Sequence, residues 1–440
     1  MSESGPRFVI VGAGLAGSLM ACYLGRAGHR VRLIDKRPDP RADGFAGGRS
    51  INLALSTRGI AALREVGVAD DVLADAVPMR GRLMHAADGA LSFQRYGTEA
   101  DQVINSISRE GLNIRLLESA ATYAGVELDF GARCTDVDPE LPSVQVERAD
   151  GRSEVLDADA VIGADGAFSA VRARLQRRDR FDYRQDFLTH GYKELTIPPA
   201  DDGGFRMESD VLHIWPRGGF MMIALPNADA SYTCTLFWPF EGENSFAAVR
   251  TEPEIESFFT RQFPDAVPHM PSLVEDYIAN PTSSLVTVRC APWNVGGKVV
   301  LIGDAAHAVV PFYGQGMNAS FEDCEILDRV MRRRPGDLEA AFDDFASSRR
   351  PDTDALANLA ITNFVEMRDR VASPAFLMRK ALGRAAHRLF PRWFVPIYSL
   401  VTFSTIPYAQ AVERARRQNR GIALILALLA VALIASLLAF

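Results

Sequence analysis

VLIGDAAHAVVPFYGQGMN, residues 300–318 of a chain of 440 residues, is the stretch from which the fold class follows. Its apolar start ends at Gly303 and Asp304, and a glycine-rich turn at 314–318 then opens a helix. The first turn of a helix presents unpaired backbone N–H groups and the positive end of the helix dipole, which together favour a bound anion. The stretch therefore predicts contacts to the sugar and phosphate parts of a large ligand.

A second glycine-rich turn, VIVGAGLAG at 9–17, lies near the other end of the chain. Residues 8–11 predict a buried strand, and Gly12, Gly14 and Gly17 give the pattern G-x-G-x-x-G at the entry to a helix. The first glycine permits a tight turn, the second lets a pyrophosphate approach the backbone, and the third lets helix and strand pack closely.

An acidic residue follows the next predicted strand. The strand at 31–34 ends in Asp35, about twenty residues beyond the glycines, where a carboxylate can accept hydrogen bonds from ribose hydroxyls. A lone G-x-G-x-x-G is a weak signal, but strand, glycines, helix, strand and acid in this order are specific. Together with the turn at 314–318, they predict a flavin-sized dinucleotide bound along one α/β domain.

The composition is that of a globular enzyme. Charged residues make up 23% and apolar residues 48% of the chain, and a net charge of −7 gives no reason to expect nucleic-acid binding. The five cysteines, at positions 22, 134, 234, 290 and 324, form no C-x-x-C pair, which favours reduced thiols over a zinc site or a disulfide framework. The segment before the first strand is short and polar and predicts no secretory signal.

The C-terminal residues 421–440, GIALILALLAVALIASLLAF, are apolar and carry no charge. About twenty such residues in a helix span a hydrocarbon core of roughly 30 Å. Arginines at 414, 416, 417 and 420 precede them, so the positive-inside rule predicts a transmembrane tail anchor with the catalytic body facing the cytoplasm. A buried core helix or a contact between subunits is the alternative.

The predicted architecture is α/β, with a Rossmann-type dinucleotide-binding domain, an antiparallel-sheet substrate domain and a helical cap before the tail. Alternation of apolar and polar positions over 188–238 predicts the antiparallel sheet. Shorter patterns predict helices at 51–66 and 103–125, a hairpin at 80–96 and a strand at 125–134. The domain boundaries are predicted at 1–182 with 285–345, 183–284, 346–420 and 421–440.

These elements resemble the single-component flavoprotein aromatic hydroxylases, typified by para-hydroxybenzoate hydroxylase. Within that class the chain most resembles the kynurenine 3-monooxygenase family, over nearly its whole length. The blocks that carry the resemblance are GAGLAG at 12–17, GRSINLALS at 48–56, MRGRLMH at 79–85, HGYKEL at 190–195, HIWPRGGFMMIALPN at 213–227, GDAAHAVVPFYGQGMN at 303–318, NFVEMR at 363–368 and YSLVTFS at 398–404.

The resemblance implies an activity and its cofactors. A bound FAD would be reduced by NADPH, which docks transiently, and O2 would add to the flavin as a C4a-hydroperoxide. The ring of L-kynurenine would then be hydroxylated to 3-hydroxy-L-kynurenine, a step of tryptophan catabolism, with no protein nucleophile and no metal. The protein would position the substrate and the flavin, exclude water from them and stabilise developing charge.

The resemblance also implies which residues contact the ligands. FAD would be held by Gly12, Gly14, Leu15, Gly17, Asp35, Lys36, Arg37, Arg49, Ala54, Arg109, Asp165, Asp304, Gly316, Met317 and Asn318. The amino acid part of kynurenine would be bound by Arg82, Tyr96, Asn363 and Tyr398.

A hairpin register links two of these substrate residues. A guanidinium grips a carboxylate through two parallel hydrogen bonds, and Arg80 and Arg82 alternate along one predicted strand. If Asp88, Gly89 and Ala90 form a three-residue loop, Arg82 lies directly opposite Tyr96. A solvated arginine beside a packed tyrosine is the alternative.

Two positions depart from the pattern of the family, and three other functions stay open. Tyr313 stands where relatives commonly have Phe or His, and Phe364 stands in place of the usual tyrosine. The alternatives are a membrane-associated FAD hydroxylase acting on a quinone, an isoprenoid or another aromatic ring, a flavin-dependent disulfide reductase, and a scaffold without catalytic activity. A disulfide reductase requires a redox cysteine pair and a second nucleotide fingerprint, and the sequence has neither.

Overall fold

A computed structural model describes residues 5–43, 52–99, 101–366, 383, 386–391 and 393–438. The strands run β1 Arg7–Val11, β2 Arg30–Asp35, β3 Asn52–Leu55, β4 Val77–Met79, β5 Gly81–His85, β6 Leu91–Arg95, β7 Ile104–Ser108, β8 Val126–Phe130, β9 Ala132–Asp138, β10 Ser143–Arg148, β11 Ser153–Asp157, β12 Ala160–Gly163, β13 Asp182–Ile197, β14 Val211–Pro216, β15 Met221–Pro226, β16 Tyr232–Pro239, β17 Ser283–Ala291, β18 Asn294–Val295 and β19 Val299–Leu301.

The helices connect these strands and form the C-terminal part of the chain. They run α1 Leu15–Arg26, α2 Pro40–Asp43, α3 Thr57–Glu65, α4 Ala69–Ala74, α5 Arg109–Ala121, α6 Ala170–Leu175, α7 Glu252–Gln262, α8 Leu273–Ala279, α9 Asp304–His307, α10 Gly316–Arg333, α11 Leu338–Val365, α12 Ile397–Thr402 and α13 Tyr408–Leu438, with 3-10 turns at Val267–His269 and Pro311–Tyr313.

The first sheet has the order β18-β19-β12-β1-β2-β8 and confirms the predicted Rossmann-type fold. Its strands are parallel except β18, and Ile10 of β1 lies between Leu33 of β2 and Ile162 of β12. Helix α1 packs against both α5 and α10. The carboxyl ends of parallel strands meet at one edge of a sheet, so the turns after β1, β2, β12 and β19 converge there.

The second sheet has the order β17-β13-β16-β15-β14-β5-β6. It is antiparallel except where β5 pairs in parallel with β14, Val211 opposite Gly81. The predicted boundaries assign 81–95 to the dinucleotide-binding domain and end the substrate domain at 284, whereas β5, β6 and β17 all belong to this sheet. β14 pairs with β5 of a hairpin that lies about 130 residues earlier in the chain, and local sequence patterns do not reveal this pairing.

Three local predictions are wrong in part. Residues 52–55 of the segment predicted as helical form β3, which pairs with β7 at 104–108. These short apolar runs each precede a helix, so their periodicity merges with that of α3 and α5. The strand predicted at 125–134 is interrupted at Gly131, whose φ is 68°, and its halves join two different sheets.

The second sheet has a core on each face. On the outer face, α7 and α8 cover apolar residues that include Leu195, Trp215 and Trp238. On the inner face, Met221 and Phe237 pack with the turn Pro311–Tyr313 and with residues of α11, α12 and α13. The inner face therefore meets the edge of the first sheet where its turns converge.

The last helix, α13, is continuous from Tyr408 and packs against α11 and α12. Its first half carries the charged residues 413–420, and Leu424 and Val431 in its second half are 62% and 64% exposed. In the part of the chain that the structure describes, we find no helix with the length and apolarity needed to cross a membrane. The predicted transmembrane tail is thus not supported; residues 439–440, and side chains at 425–427, 429, 430, 433, 437 and 438, lie outside the description.

Candidate active site

The turn between β1 and α1 has the shape that a bound pyrophosphate requires. Gly12 has a φ of 104°, and a Cβ there would lie 2.6 Å from the carbonyl oxygen of Ala164. A Cβ on Gly17 would lie 1.9 Å from the carbonyl oxygen of Gly12, whereas a Cβ on Gly14 would meet no described atom within 4 Å. The open space lies where α1 begins at Leu15 and presents its first N–H groups, so the residues fit a bound dinucleotide.

Asp35 ends β2 and binds the backbone of the same turn. Its Oδ2 accepts a hydrogen bond from the N–H of Ala13 at 2.9 Å, and Arg37 donates to the carboxylate from Nε at 2.9 Å and from Nη2 at 2.8 Å. Burial by itself raises the pKa of Asp35, but these hydrogen bonds outweigh it and hold the pKa below its ordinary value. The carboxylate stays charged, as a ribose acceptor must, and the neighbouring Lys36 is exposed.

Asp165 follows β12 and holds the start of α6. Its Oδ2 accepts a hydrogen bond from the N–H of Ala170 at 2.6 Å, and its Oδ1 accepts one from the hydroxyl of Ser169. Burial raises the pKa of this carboxyl group. The side chain is therefore engaged within the protein, and the backbone of Asp165, which a Cβ on Gly12 would approach to 2.8 Å, is the part that borders the predicted cofactor turn.

The stretch at 303–318 forms the opposite side of the cradle. Gly303 has a φ of 57°, and a Cβ there would lie 3.1 Å from the Oγ of Ser320 on α10. Asp304 is the first residue of α9 and is exposed, so its carboxylate is available to a ligand. Gly316 and Met317 begin α10, and the N–H groups of such a first turn point away from the helix.

Asn318 is fully buried and joins α10 to the segment before α3. Its Nδ2 donates to the carbonyl oxygens of Ala54, at 2.8 Å, and Gly314, at 3.0 Å. Its Oδ1 accepts a hydrogen bond from the N–H of Ser56 at 2.9 Å. The side chain thus holds Ala54 beside the glycine-rich turn.

Arg109 and Arg49, two of the three arginines predicted to bind FAD, differ in what the structure describes. Arg109 is the exposed first residue of α5, at the end of β7. The preceding Ser108 caps this helix, its Oγ accepting from the N–H of Gly111 at 3.2 Å. Arg49 lies outside the described residues.

The hairpin β5–β6 carries Arg82 in a register other than the predicted one. Arg82 lies opposite Gln94, so the prediction that it faces Tyr96 directly is wrong. The loop consists of residues 87–89, with Gly89 at a φ of 83°, and therefore begins one residue earlier than predicted. Arg82 and Tyr96 are diagonal neighbours on one face of the sheet, which still lets long side chains meet.

The two arginines of β4–β5 have different surroundings. Arg80 is exposed, forms ion pairs with Glu208 and Asp210, and lies over the ring of Phe93. Arg82 has its Nε buried without a hydrogen-bond partner among the described residues. A buried charged donor that lacks an acceptor is costly, which indicates that a ligand supplies the acceptor.

Two tyrosines flank Arg82. Its Cζ lies 5.4 Å from the ring centroid of Tyr96 and 4.9 Å from that of Tyr398, and the two rings lie 5.8 Å apart at 14°. Burial by itself lowers the pKa of Arg82, but Tyr398 and Tyr96 outweigh it and raise that pKa. The Tyr398 ring also lies 5.5 Å from the ring of Tyr313, in the turn Pro311–Tyr313 that precedes α10. The structure therefore brings the predicted carboxylate-binding residues beside the predicted cofactor cradle.

Asn363, the fourth predicted substrate residue, lies on α11 and contacts the turn Pro311–Tyr313. Its Nδ2 donates to the carbonyl oxygen of Phe312 at 2.6 Å. Phe312 stacks on Phe364 with ring centroids 4.3 Å apart and lies 5.0 Å from the ring of Phe237. These three rings form an apolar cluster beside the turn 311–313, and Phe364 also contacts the ring of His190, with ring centroids 5.1 Å apart.

Glu194, in the block HGYKEL, is a residue for which the sequence analysis predicts no role. It lies on β13 opposite Thr235, and side chains alternate along a strand. Because Leu195 and Ile197 belong to the outer core, Glu194 lies on the inner face, toward the site. Burial raises the pKa of Glu194 to about 7, and the nearby charge of Arg109 opposes that rise. The alternation of polar and apolar residues over 194–197, ELTI, could have placed Glu194 on this face.

Glu194 predicts a pH-dependent stability. A pKa raised above its unfolded value means that the folded protein favours the neutral carboxyl, so this stabilisation is complete below about pH 4.5 and is lost as the pH rises through about 7. We expect Glu194→Gln to raise the melting temperature relative to wild type by roughly 1–3 °C more at pH 8 than at pH 4.5. Thermal unfolding of both proteins, with Glu208→Gln as an exposed control, measures this; an equal difference at both pH values would contradict it.

Comparison with known proteins agrees with this geometry. The family model described as FAD binding domain matches residues 7–331. Kynurenine 3-monooxygenase of Myxococcus xanthus is 49% identical over 92% of this chain and 87% of its own length. The same enzyme of Salinispora arenicola is 48% identical over 96% of this chain and 93% of its own length.

A solved structure shows the same fold at lower identity. The tetrameric form of 2-methyl-3-hydroxypyridine-5-carboxylic acid oxygenase superposes with a TM-score of 0.69, at 23% identity, over 84% of this chain and 94% of that one. At this identity the likeness concerns the fold, whereas the two bacterial relatives match over 92% and 96% of the chain. The chain therefore belongs to the kynurenine 3-monooxygenase family of FAD-dependent hydroxylases.

Proposed function

We propose that the chain hydroxylates L-kynurenine to 3-hydroxy-L-kynurenine, using bound FAD, NADPH and O2. The observation that carries the proposal is the cluster of Arg82, Tyr96 and Tyr398, which adjoins the glycine-rich turn at 314–318. Within the described part of the chain, the buried Nε of Arg82 has no acceptor. An α-amino acid carboxylate is the ligand chemistry that this cluster suits. The two bacterial relatives are named for this activity.

The residues that would hold FAD surround one edge of the first sheet. The open turn at Gly14 would receive the pyrophosphate, Asp35 the adenosine ribose and Asp304 the ribityl chain. When bound, FAD supplies the redox chemistry, since a flavin takes a hydride from NADPH and activates O2. The N-terminus of α10, at Gly316 and Met317, would place positive potential beside the ring system.

The substrate would be held at both of its ends. Arg82 would pair with the carboxylate, and the hydroxyls of Tyr96 and Tyr398 would donate to the same group. The rings of Phe312 and Phe237 would pack against the aromatic ring and exclude water from it. The protein would thus act by positioning the substrate and by excluding water from it, with no side-chain nucleophile.

The other functions are less well supported. A quinone or an isoprenoid has no carboxylate to pair with Arg82. A disulfide reductase needs reactive thiols, yet burial raises the pKa of Cys22 to about 11 and that of Cys134 and Cys290 to about 12, and all five cysteines are free. A scaffold without activity would have no use for a cofactor cradle next to a buried guanidinium whose Nε has no acceptor among the described residues.

The test follows NADPH loss and product together. With purified FAD-loaded protein, NADPH and O2, we expect L-kynurenine to stimulate NADPH oxidation at least tenfold and to yield 3-hydroxykynurenine in near-equal amount. Anthranilate, which lacks the amino acid side chain, is the control substrate. Stimulated oxidation that releases only hydrogen peroxide would point to another aromatic substrate, and absence of any kynurenine response with FAD bound would overturn the proposal.

A further inference from the structure

A buried polar cluster joins the C-terminal segment to the cofactor cradle, and the proposed chemistry does not use it. Arg58 of α3 is 1% exposed, and its Cζ lies 4.0 Å from the ring centroid of Tyr408, the first residue of α13. Its Nε donates to the carbonyl oxygen of Val401 at 3.1 Å, and its Nη1 donates to Glu322 Oε1 at 2.6 Å. One guanidinium thus binds α10, α12 and α13 at once.

Tyr408 continues the connection to the glycine-rich turn. It is fully buried, and its hydroxyl donates to the Oε1 of Gln315 at 3.2 Å. Gln315 is the N-cap residue of α10, is 2% exposed, and donates from Nε2 to the Oγ of Ser56 at 3.2 Å. The N–H of Ser56 in turn donates to Asn318. The side-chain amide of Gln315 is therefore oriented by Tyr408 at its oxygen and by Ser56, whose Oγ accepts from Nε2 and also lies 3.4 Å from Oε1.

The charged residues next to Arg58 also contact the turn at Gly303, which is the other part of the 303–318 stretch. Arg349, fully buried, pairs with Glu322 at 2.8 Å and with Asp323 at 2.8 Å. Asp323 accepts a hydrogen bond from the N–H of Gly303 at 2.9 Å and binds His307. The cluster thus contacts both the turn before Asp304 and the start of α10.

We infer that Tyr408 is a positioning residue of the active site, which sets the orientation of Gln315 and with it the first turn of α10. The inference deepens the proposed function, on which it rests for the identity of the substrate. Tyr398 lies in α12, which Arg58 also contacts. The buried contacts of Arg58 and Tyr408 therefore fix the position of a predicted substrate residue relative to the glycine-rich turn at 314–318. The segment 397–408 is in this sense part of the site.

Tyr408→Phe tests the inference, since it removes the hydroxyl and keeps the ring under Arg58. Tyr232→Phe is the matched control: Tyr232 is also fully buried, and its hydroxyl donates to the carbonyl oxygen of Met207 in the other core. The readouts are the flavin absorption spectrum of the resting holoenzyme, the Kd for FAD, and the ratio of product formed to NADPH consumed.

We expect Tyr408→Phe to shift the flavin absorption spectrum, to weaken FAD binding about threefold or more, and to lower the product-to-NADPH ratio at least threefold. The KM for kynurenine should stay within about twofold of wild type. Tyr232→Phe should lower the melting temperature but leave the spectrum and the ratio unchanged. A wild-type spectrum, Kd and ratio in Tyr408→Phe, or the same changes in Tyr232→Phe, would overturn the inference.

Two further experiments distinguish a folding defect of Tyr408→Phe, or a wrong substrate assignment, from a wrong role for Tyr408. If Tyr408→Phe does not fold, Ser56→Ala removes the other partner of Gln315 and must give the same spectral shift for the inference to stand. The spectrum and the Kd for FAD are measured without substrate. They therefore decide the role of Tyr408 even if the wild-type protein acts on a ring other than kynurenine.

Discussion

Arg82→Ala is expected to raise the KM for kynurenine about 100-fold while FAD stays bound. A buried charged group that loses its partner costs roughly 3–5 kcal/mol, and about 2.7 kcal/mol already corresponds to a factor of 100. The FAD cradle is built from other elements, so the flavin content of the purified variant should equal that of wild type. Steady-state kinetics at saturating NADPH, with the flavin absorbance as the measure of loading, test this.

Arg80 provides a matched control on the same stretch of chain. Its guanidinium is paired with Glu208 and Asp210 at the surface, so Arg80→Ala should leave the KM for kynurenine within about twofold of wild type. Arg82→Lys keeps the charge but loses the planar fork, and its KM should fall between wild type and Arg82→Ala. Equal KM values for Arg82→Ala and wild type would remove Arg82 from substrate binding.

Gly12→Ala is expected to abolish the folded, FAD-containing protein. At a φ of 104° an L side chain is strained, and its Cβ would lie 2.6 Å from a backbone carbonyl that β12 holds in place. Strain and overpacking together cost several kcal/mol, a large part of the 5–15 kcal/mol by which a typical protein is stable. We expect the variant to be insoluble or to lack flavin and a cooperative thermal transition.

Gly14→Ala separates folding from cofactor binding in the same turn. Its Cβ would meet no described atom within 4 Å, so the apoprotein should melt within about 2 °C of wild type. The methyl group would occupy the space that the pyrophosphate needs, and the Kd for FAD should rise at least tenfold. If Gly14→Ala unfolds like Gly12→Ala, or binds FAD as wild type does, the pyrophosphate does not lie in this turn.

The first sheet could be predicted from sequence because each of its signals is local. The glycines at 12–17 and the acid at 35 lie directly after apolar strands, and the stretch at 300–318 repeats that arrangement. Parallel strands bring their carboxyl ends together, so local signals were sufficient to assemble the cradle. The roles of individual residues were harder to predict, because Asp165 and Asn318 use their side chains to hold the protein's own backbone.

The second sheet depends on contacts between distant segments. The pairing of β5 with β14 joins residues about 130 positions apart, and no local pattern specifies it. The predicted hairpin register is wrong for a local reason. Gly89 takes a positive φ at the last loop position, so the loop begins one residue earlier and each residue of β5 pairs with a residue two positions earlier than predicted. Because a shift of two keeps each side chain on its face, Arg82 and Tyr96 still meet.

The contacts of Tyr408 could not be foreseen, because they join residues more than ninety positions apart. A tyrosine at the start of a helix carries no signal by itself, and Arg58 and Gln315 look like ordinary surface residues in the sequence. Their burial appears only when α3, α10 and α13 are packed together. Buried polar groups with distant partners are thus the part of such a site that needs coordinates.

The free cysteines have a consequence for the working life of the enzyme. A flavin hydroxylase that loses coupling releases hydrogen peroxide next to its own polypeptide, and peroxide oxidises thiolates rather than thiols. Four of the five cysteines are buried, and burial raises the pKa of all five, so almost no thiolate is present at neutral pH. We therefore expect the cysteine thiols of this protein to resist oxidation by peroxide that is released in uncoupled turnovers.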